Sequence, residues 1–259
     1  MKTIGNIIRI KLLFIKFLAS RIGRFFYWNL RLSQATLGRG IKIHFPVIIE
    51  GNGRLTLGDN VELMKRATIG LSTGSEIIIG NGSRIHPSAN IHAGKDTIIK
   101  LGEKCSALTH AVLRNGKEVV MGNGSSISGY CNIFPREPGY DGKFIMGAGS
   151  NIGDNTIIDT SDDVVIGQLV AVGPSCIFYT HDHDYESNPA AAWKGGVKTG
   201  TIVIEDGAWV GARVTLLPGI TIGKNAVIAA GSVVTKSVPA GQIFAGIPAK
   251  SIKKIHPDG

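Results

Sequence analysis

The chain has 259 residues, 43% hydrophobic and only 18% charged, a balance that excludes intrinsic disorder. Its 35 glycines, well above the ~7% of an average protein, call for many tight turns, and three cysteines leave no even disulfide set. The formal net charge of +9 suggests a nucleic-acid partner until it is located. Nine of the 28 Lys and Arg (Lys2, Arg9, Lys11, Lys16, Arg21, Arg24, Arg31, Arg39 and Lys42) lie in residues 1–49, which hold no acid; the remaining 19 face 19 Asp and Glu. The body is therefore neutral and offers no basic groove with interleaved aromatics, so no nucleic-acid partner is expected.

Residues 1–40 read as a basic, apolar helical segment. Ile7, Ile8, Ile10, Leu12, Leu13, Phe14, Ile15, Phe17 and Leu18 precede Phe25, Phe26, Tyr27 and Trp28. On a helix Lys2, Arg9, Lys16, Arg24 and Arg31 fall within about 80° of one another, because seven residues is close to two turns. A membrane span needs about 20 apolar residues, which Arg9, Lys11, Lys16 and Arg21 interrupt, and no small-x-small cleavage site marks a secretory signal. Two roles stay open: a helix lying on an anionic membrane surface, or a cap on the first turn of the body.

From residue 41 to about 240, aliphatic residues recur every six positions. The sets include Leu57, Leu63 and Ile69; Ile79, Ile85 and Ile91; Met146, Ile152 and Ile158; Ile166, Val172 and Phe178; and the run Ile204, Val210, Leu216, Ile222, Ile228 and Val234. Three such hexapeptides close one coil of a parallel β-helix, so about eight coils are predicted, a prism roughly 40 Å long. The fifth hexapeptide residue is small, as in Ala67, Ser83, Ala111, Ser125 and Ala226, and Cys105, Cys131 and Cys176 share that position. Packing is the predicted role of these cysteines, in a reducing compartment.

Two inserts interrupt the prism, 134–144 and 179–203, and a short tail, 241–259, follows it. The longer insert opens Tyr179-Thr180-His181-Asp182-His183-Asp184-Tyr185. A neutral imidazole can take a hydroxyl proton near pH 7, and His181, three residues after Phe178, is anchored to the coil. It is the predicted general base. His183, Asp182 and Asp184 are left to orient it, bind an acceptor or face solvent. His44, His86, His92, His110 and His256 lie beside no insert and are predicted surface residues.

Thr201 to Ile255, reading TIVIEDGAWVGARVTLLPGITIGKNAVIAAGSVVTKSVPAGQIFAGIPAKSIKKI, resembles the C-terminal part of hexapeptide-repeat acyltransferases, particularly galactoside, maltose and bacterial polysaccharide O-acetyltransferases. The resemblance implies an all-β, left-handed parallel β-helix, a homotrimer, and acetyl-CoA as co-substrate in the cleft between neighbouring prisms, with no metal. It assigns His181 as catalytic base, Trp209 as the active-site wall and the Ala212 N–H as oxyanion donor. CoA contacts fall on Ala230, Thr235, Lys236, Lys250 and Lys253, where Lys offers a point charge without the Arg fork. Acceptor-side positions fall on Asn155 and Asp159, with His183 nearby.

The implied activity is O-acetylation of a sugar in a cell-surface glycan or its lipid-linked precursor, in the cytoplasm and peripheral on the inner membrane. N-acylation of an amino sugar nucleotide and a serine acetyltransferase-like activity are the nearest alternatives. A γ-type carbonic anhydrase, which needs three converging imidazoles, or a non-catalytic scaffold follow.

Overall fold

The computed structural model describes residues 2–115, 117–188 and 190–255; His256 and the end of the tail lie outside them. A helix, α1 (Lys2–Ser33), leads into a parallel β-solenoid whose chain returns to the same face every third strand. The first and third faces have nine strands each and the second eleven, two of these from a C-terminal hairpin.

Nine coils result among the described residues, one more than the repeat pattern predicts. The added coil, 36–51, sets Leu37 opposite Leu57, Ile43 opposite Leu63 and Ile49 opposite Ile69. Its six-residue spacing is intact, but Phe45-Pro46 breaks its hexapeptide pattern and its apolar residues blend with those of the helix. The body thus begins at Thr36, ahead of residue 41. The second to ninth coils follow as 54–71, 76–93, 98–115, 119–134, 144–159, 164–178, 202–216 and 221–234. Ten-residue steps such as Ile69 to Ile79 lengthen third-face strands to four residues and bury Leu71 and Ala93 as well.

In-register stacking gathers the aliphatic positions into one continuous core, in which Ile69, Ile79, Ile85, Ile91 and Phe178 are wholly buried. Each such side chain contributes about 1.5–3 kcal/mol relative to exposure. The fifth hexapeptide residue has a polar task too. The hydroxyls of Ser83 and Ser150 donate to the Gly102 and Gly167 carbonyls of the next coil at 2.9 and 2.7 Å. Cys105, Cys131 and Cys176 repeat this contact, each thiol lying 3.1 Å from the carbonyl of Gly122, Gly153 or Gly211. Burial pushes the Cys131 thiol up to about 11 and Cys176 in the same direction. All three cysteines are buried, and by their carbonyl contacts they are packing groups that also donate to the next coil.

The C-terminal stretch is not a free tail. Gln242–Gly246 pairs with the ninth coil, Ile243 opposite Val227, and folds back against Ala249–Lys254 to extend the second face. At the other end, the contacts of α1 with the body among the described residues lie toward its C-terminus. Leu32 is buried, an Arg31 guanidinium nitrogen donates to the Gly53 carbonyl at 2.9 Å, and the Phe25 and Phe45 rings lie 6.2 Å apart. No helix among the described residues is long and apolar enough to cross a membrane.

Candidate active site

Three consecutive third-face strands end at one corner of the prism. Phe134 stands opposite Asp159 in the register, and Ile158 opposite Phe178. Both inserts leave from this corner, one coil above and one below Asp159, so the regularity of the repeat brings Glu137, Asp159 and His181 together. The longer insert does not start as a slack loop: His181–His183 pairs antiparallel with Val197–Thr199, and Gly200 N–H donates to the Thr180 carbonyl at 2.8 Å. The Lys198 ammonium, 3.1 Å from Asp184, holds that carboxyl below its usual range and latches the same hairpin.

Asp159 is completely buried and accepts from six donors. One carboxylate oxygen takes the Ser161 hydroxyl at 2.7 Å and the Ser161 and Arg136 N–H groups at 3.0 Å. The other takes the Thr180 hydroxyl at 2.8 Å, the Thr180 N–H at 3.1 Å and His181 Nδ1 at 2.6 Å. Burial alone would raise the pKa of this group; the hydrogen bonds from Ser161, His181 and Thr180 outweigh it and hold the carboxyl below its ordinary value. An ionised Asp159 can only accept, so the His181 proton sits on Nδ1 and Nε2 keeps its lone pair. Nε2 faces the Glu137 carboxylate at 3.9 Å, too far for a hydrogen bond.

The group orienting His181 is therefore neither Asp182 nor Asp184, as the local sequence suggests, but Asp159 from the preceding coil. This also corrects the assignment of Asp159 to the acceptor side: a carboxylate with no exposure and six internal donors has no capacity left for an acceptor. His183 lies beside His181, ring centroids 5.9 Å apart, and its Nδ1 is buried without a partner among the described residues. Glu137, His181 and His183 each offer a ligand atom within 4.8 Å of the others, a spacing open to a divalent cation that would occupy Nε2 in place of a proton.

Residues 201–236 match the family model described as bacterial transferase hexapeptide (six repeats). The match falls on the eighth and ninth coils. Among curated relatives, it is 34% identical over 129 residues to a galactoside O-acetyltransferase of Lactococcus lactis, covering 48% of this chain and 61% of that protein. It is 33% identical over 120 residues to the galactoside O-acetyltransferase of Escherichia coli, covering 44% and 58%. The chain thus spans about three-fifths of the length of these relatives. A crystal structure of a hexapeptide-repeat-containing acetyltransferase from Vibrio cholerae, complexed with acetyl coenzyme A, superposes with a TM-score of 0.42 at 24% identity, over 71% of this chain and 72% of that one.

In the C-terminal part of the chain, the other predicted residues fall into two groups. Trp209, 57% exposed, lies on the second face between Ala171 and Val227. Ala212 occupies the turn that follows, and its N–H has no acceptor among the described residues. Ala230 holds the same turn one coil on; a side chain at Gly211 would meet the Ala230 nitrogen at 2.6 Å, so the glycine permits this close stacking. Lys250 and Lys253 lie exposed on the hairpin strand that extends the same face. Thr235 and Lys236, also exposed, follow the last third-face strand and stand at the His181 corner, two coils further along. None of the three lysines forms an ion pair among the described residues.

In a three-faced prism the His181 corner is opposite the second face, so one chain does not bring His181 together with Trp209 and Ala212. Asn155 joins neither group. With φ of 58° it turns the chain between the second and third faces and donates its N–H to Gly129. The residue that local reading passes over is Glu137, whose signal is that both inserts leave after the third strand of their coils. His110 needs no functional account, since it turns a corner with φ of 59° and stacks on Tyr130 one coil on, 4.9 Å away.

Proposed function

We propose that the protein is an acetyl-CoA-dependent O-acetyltransferase acting on a sugar hydroxyl of a cell-surface glycan or its lipid-linked precursor. The observation that carries this reading is the Asp159–His181 pair, an imidazole with a free Nε2 at the mouth of two converging inserts. His181 Nε2 takes the acceptor hydroxyl proton, and the oxygen attacks the thioester carbonyl carbon. The tetrahedral oxyanion is held by the Ala212 N–H against the Trp209 wall. As the carbon–sulfur bond breaks, the imidazolium returns its proton to the CoA thiolate, and Asp159 stabilises the transient positive charge. No acyl-enzyme forms, because the three thiols are buried.

The separation of the two groups across one prism supports a site shared by neighbouring copies in a cyclic trimer, with His181 from one and Trp209, Ala212, Ala230, Lys250 and Lys253 from the next. Thr235 and Lys236 reach the same CoA from the His181 side. The basic helix holds the assembly peripherally on the cytoplasmic face of the inner membrane, where acetyl-CoA and lipid-linked sugars meet.

The test is complementation. His181→Ala and Lys250→Ala/Lys253→Ala proteins are each expected to be impaired with labelled acetyl-CoA and a glycan panel read by mass spectrometry. Unfolding and refolding them together in equal amounts restores about a quarter of the shared sites, the random share at a head-to-tail interface. No recovery in verified mixed oligomers would overturn the shared site, and a His181→Ala protein with unchanged turnover would overturn the base.

A further inference from the structure

A cleft of about 730 Å³ separates α1 from the first three coils, within the range of small-ligand sites. Its apolar wall includes Phe25, Trp28 and Phe45, and its polar groups include the guanidinium side chains of Arg21, Arg24 and Arg66. No acid lines it, and none of these three arginines is ion-paired among the described residues. Arg21, Arg24 and Arg66 are exposed, and three guanidinium groups with no acid among them give the cleft a positive potential that attracts an anion. Independently, the indole N–H of Trp28 is buried without an acceptor among the described residues. Such an orphan donor costs about as much as a lost hydrogen bond, and an anionic oxygen would satisfy it.

The opposite side of the helix is apolar as well. Ile8, Leu12, Ile15, Ile22, Phe26 and Leu30, at helical spacing, are each at least 55% exposed. This stripe points away from the body, so the helix is greasy on its outer side and both greasy and cationic on its inner side.

We propose that the cleft seats one anionic phospholipid from a bilayer surface, its phosphate between Arg21, Arg24 and Arg66 and its acyl portion against Phe25, Trp28 and Phe45, while the outer stripe enters the bilayer. This rests on the membrane-surface reading above and adds to it a role for the solenoid body: Arg66 lies in the second coil, outside the helix. A helix merely lying on lipid would have no use for it.

The test is flotation of the full-length protein with vesicles of phosphatidylglycerol and phosphatidylcholine at low salt. Arg66→Asn removes the charge while keeping a residue that tolerates the φ of 64° found there. Lys65→Gln removes the neighbouring charge, which does not line the cleft. A seated phosphate predicts that Arg66→Asn weakens binding about fivefold or more, that Lys65→Gln changes it much less, and that Arg24→Gln, on an exposed helix position, repeats the loss independently of any effect on the solenoid. Trp28→Phe should weaken binding further, and soluble glycerol phosphate should compete only at concentrations far above those of the lipid. Equal losses for Arg66→Asn and Lys65→Gln with the intact protein floating would overturn the cleft while sparing the membrane reading; failure of the intact protein to float would overturn both.

Discussion

Replacing Asp159 by Asn tests the arrangement on which the chemistry depends, because it keeps shape while removing the charge and turning one acceptor oxygen into an N–H donor group. The new amide must place its two N–H donors on one side or the other. On the first side they would face two backbone N–H groups, of Arg136 and Ser161, which cannot be turned away. On the second they would face one fixed N–H, of Thr180, together with the Thr180 hydroxyl and His181 Nδ1, both of which can switch from donor to acceptor. The second arrangement leaves one fixed clash against two, at about 1–3 kcal/mol for each buried group left unsatisfied. It is therefore the one expected, and it draws the His181 proton from Nδ1 to Nε2. The base is then capped by its own proton. Turnover should fall by about 10²- to 10⁴-fold, with CoA affinity unchanged and a stability loss of about 1–3 kcal/mol. Acetyl transfer measures the first, and the imidazole nitrogen shifts of His181 in an ¹⁵N-labelled protein report the tautomer directly. A variant that keeps both its turnover and the Nδ1-protonated form would refute the reasoning, whatever its stability.

Two further outcomes follow from the same geometry. Since the folded Asp159 carboxyl is held below its unfolded value, its contribution to stability is present above the unfolded pKa of about 3.9 and is lost as pH falls through the lower folded value. The stability gap between wild type and Asp159→Asn, measured by urea unfolding, should thus narrow below pH ~4, and a gap that widens there would be contrary to the assignment. For the cofactor, Lys236→Ala/Lys250→Ala/Lys253→Ala should raise the CoA dissociation constant by about tenfold or more through lost phosphate contacts, with circular dichroism unaltered; unchanged affinity by calorimetry would remove the three from the site.

Much of the fold is legible because a six-residue period leaves a mark at every coil. Ile69, Ile79, Ile85 and Ile91 announce their burial by spacing alone, and the fifth-position cysteines announce theirs by standing where Ser and Ala stand elsewhere. The first coil was hidden by composition, its Leu37, Ile43 and Ile49 running on from a helix equally rich in aliphatics. At the site, His181 was legible from its place at the root of an insert. Its carboxylate was not, because hydrogen bonds across coils join residues about 22 apart, whereas Asp182 and Asp184 lie adjacent in the chain. The pairing of Ile158 with Phe178 contains the answer: the residue after Ile158 must lie beside the root of the next coil's insert, and that residue is Asp159.

The same stacking explains where the protein can place rigid chemistry and where it can place an adaptable surface. In a solenoid each coil is stabilised by its neighbours, so interior coils are held on both sides and end coils on one. Asp159 lies in the sixth of nine coils, with five before it and three after. A buried carboxylate saturated by six donors keeps its geometry only where strand ends on both sides are fixed, and the interior supplies that. The arginine-lined cleft draws on the first three coils, at the end where α1 meets the body through a few contacts near its C-terminus. An end coil covered by a helix that is greasy on both sides leaves room for a ligand of variable shape, whereas His181 requires a carboxylate held within hydrogen-bond distance. The proton chemistry proposed for the interior and the lipid contact proposed for the open end thus both fit one nearest-neighbour architecture.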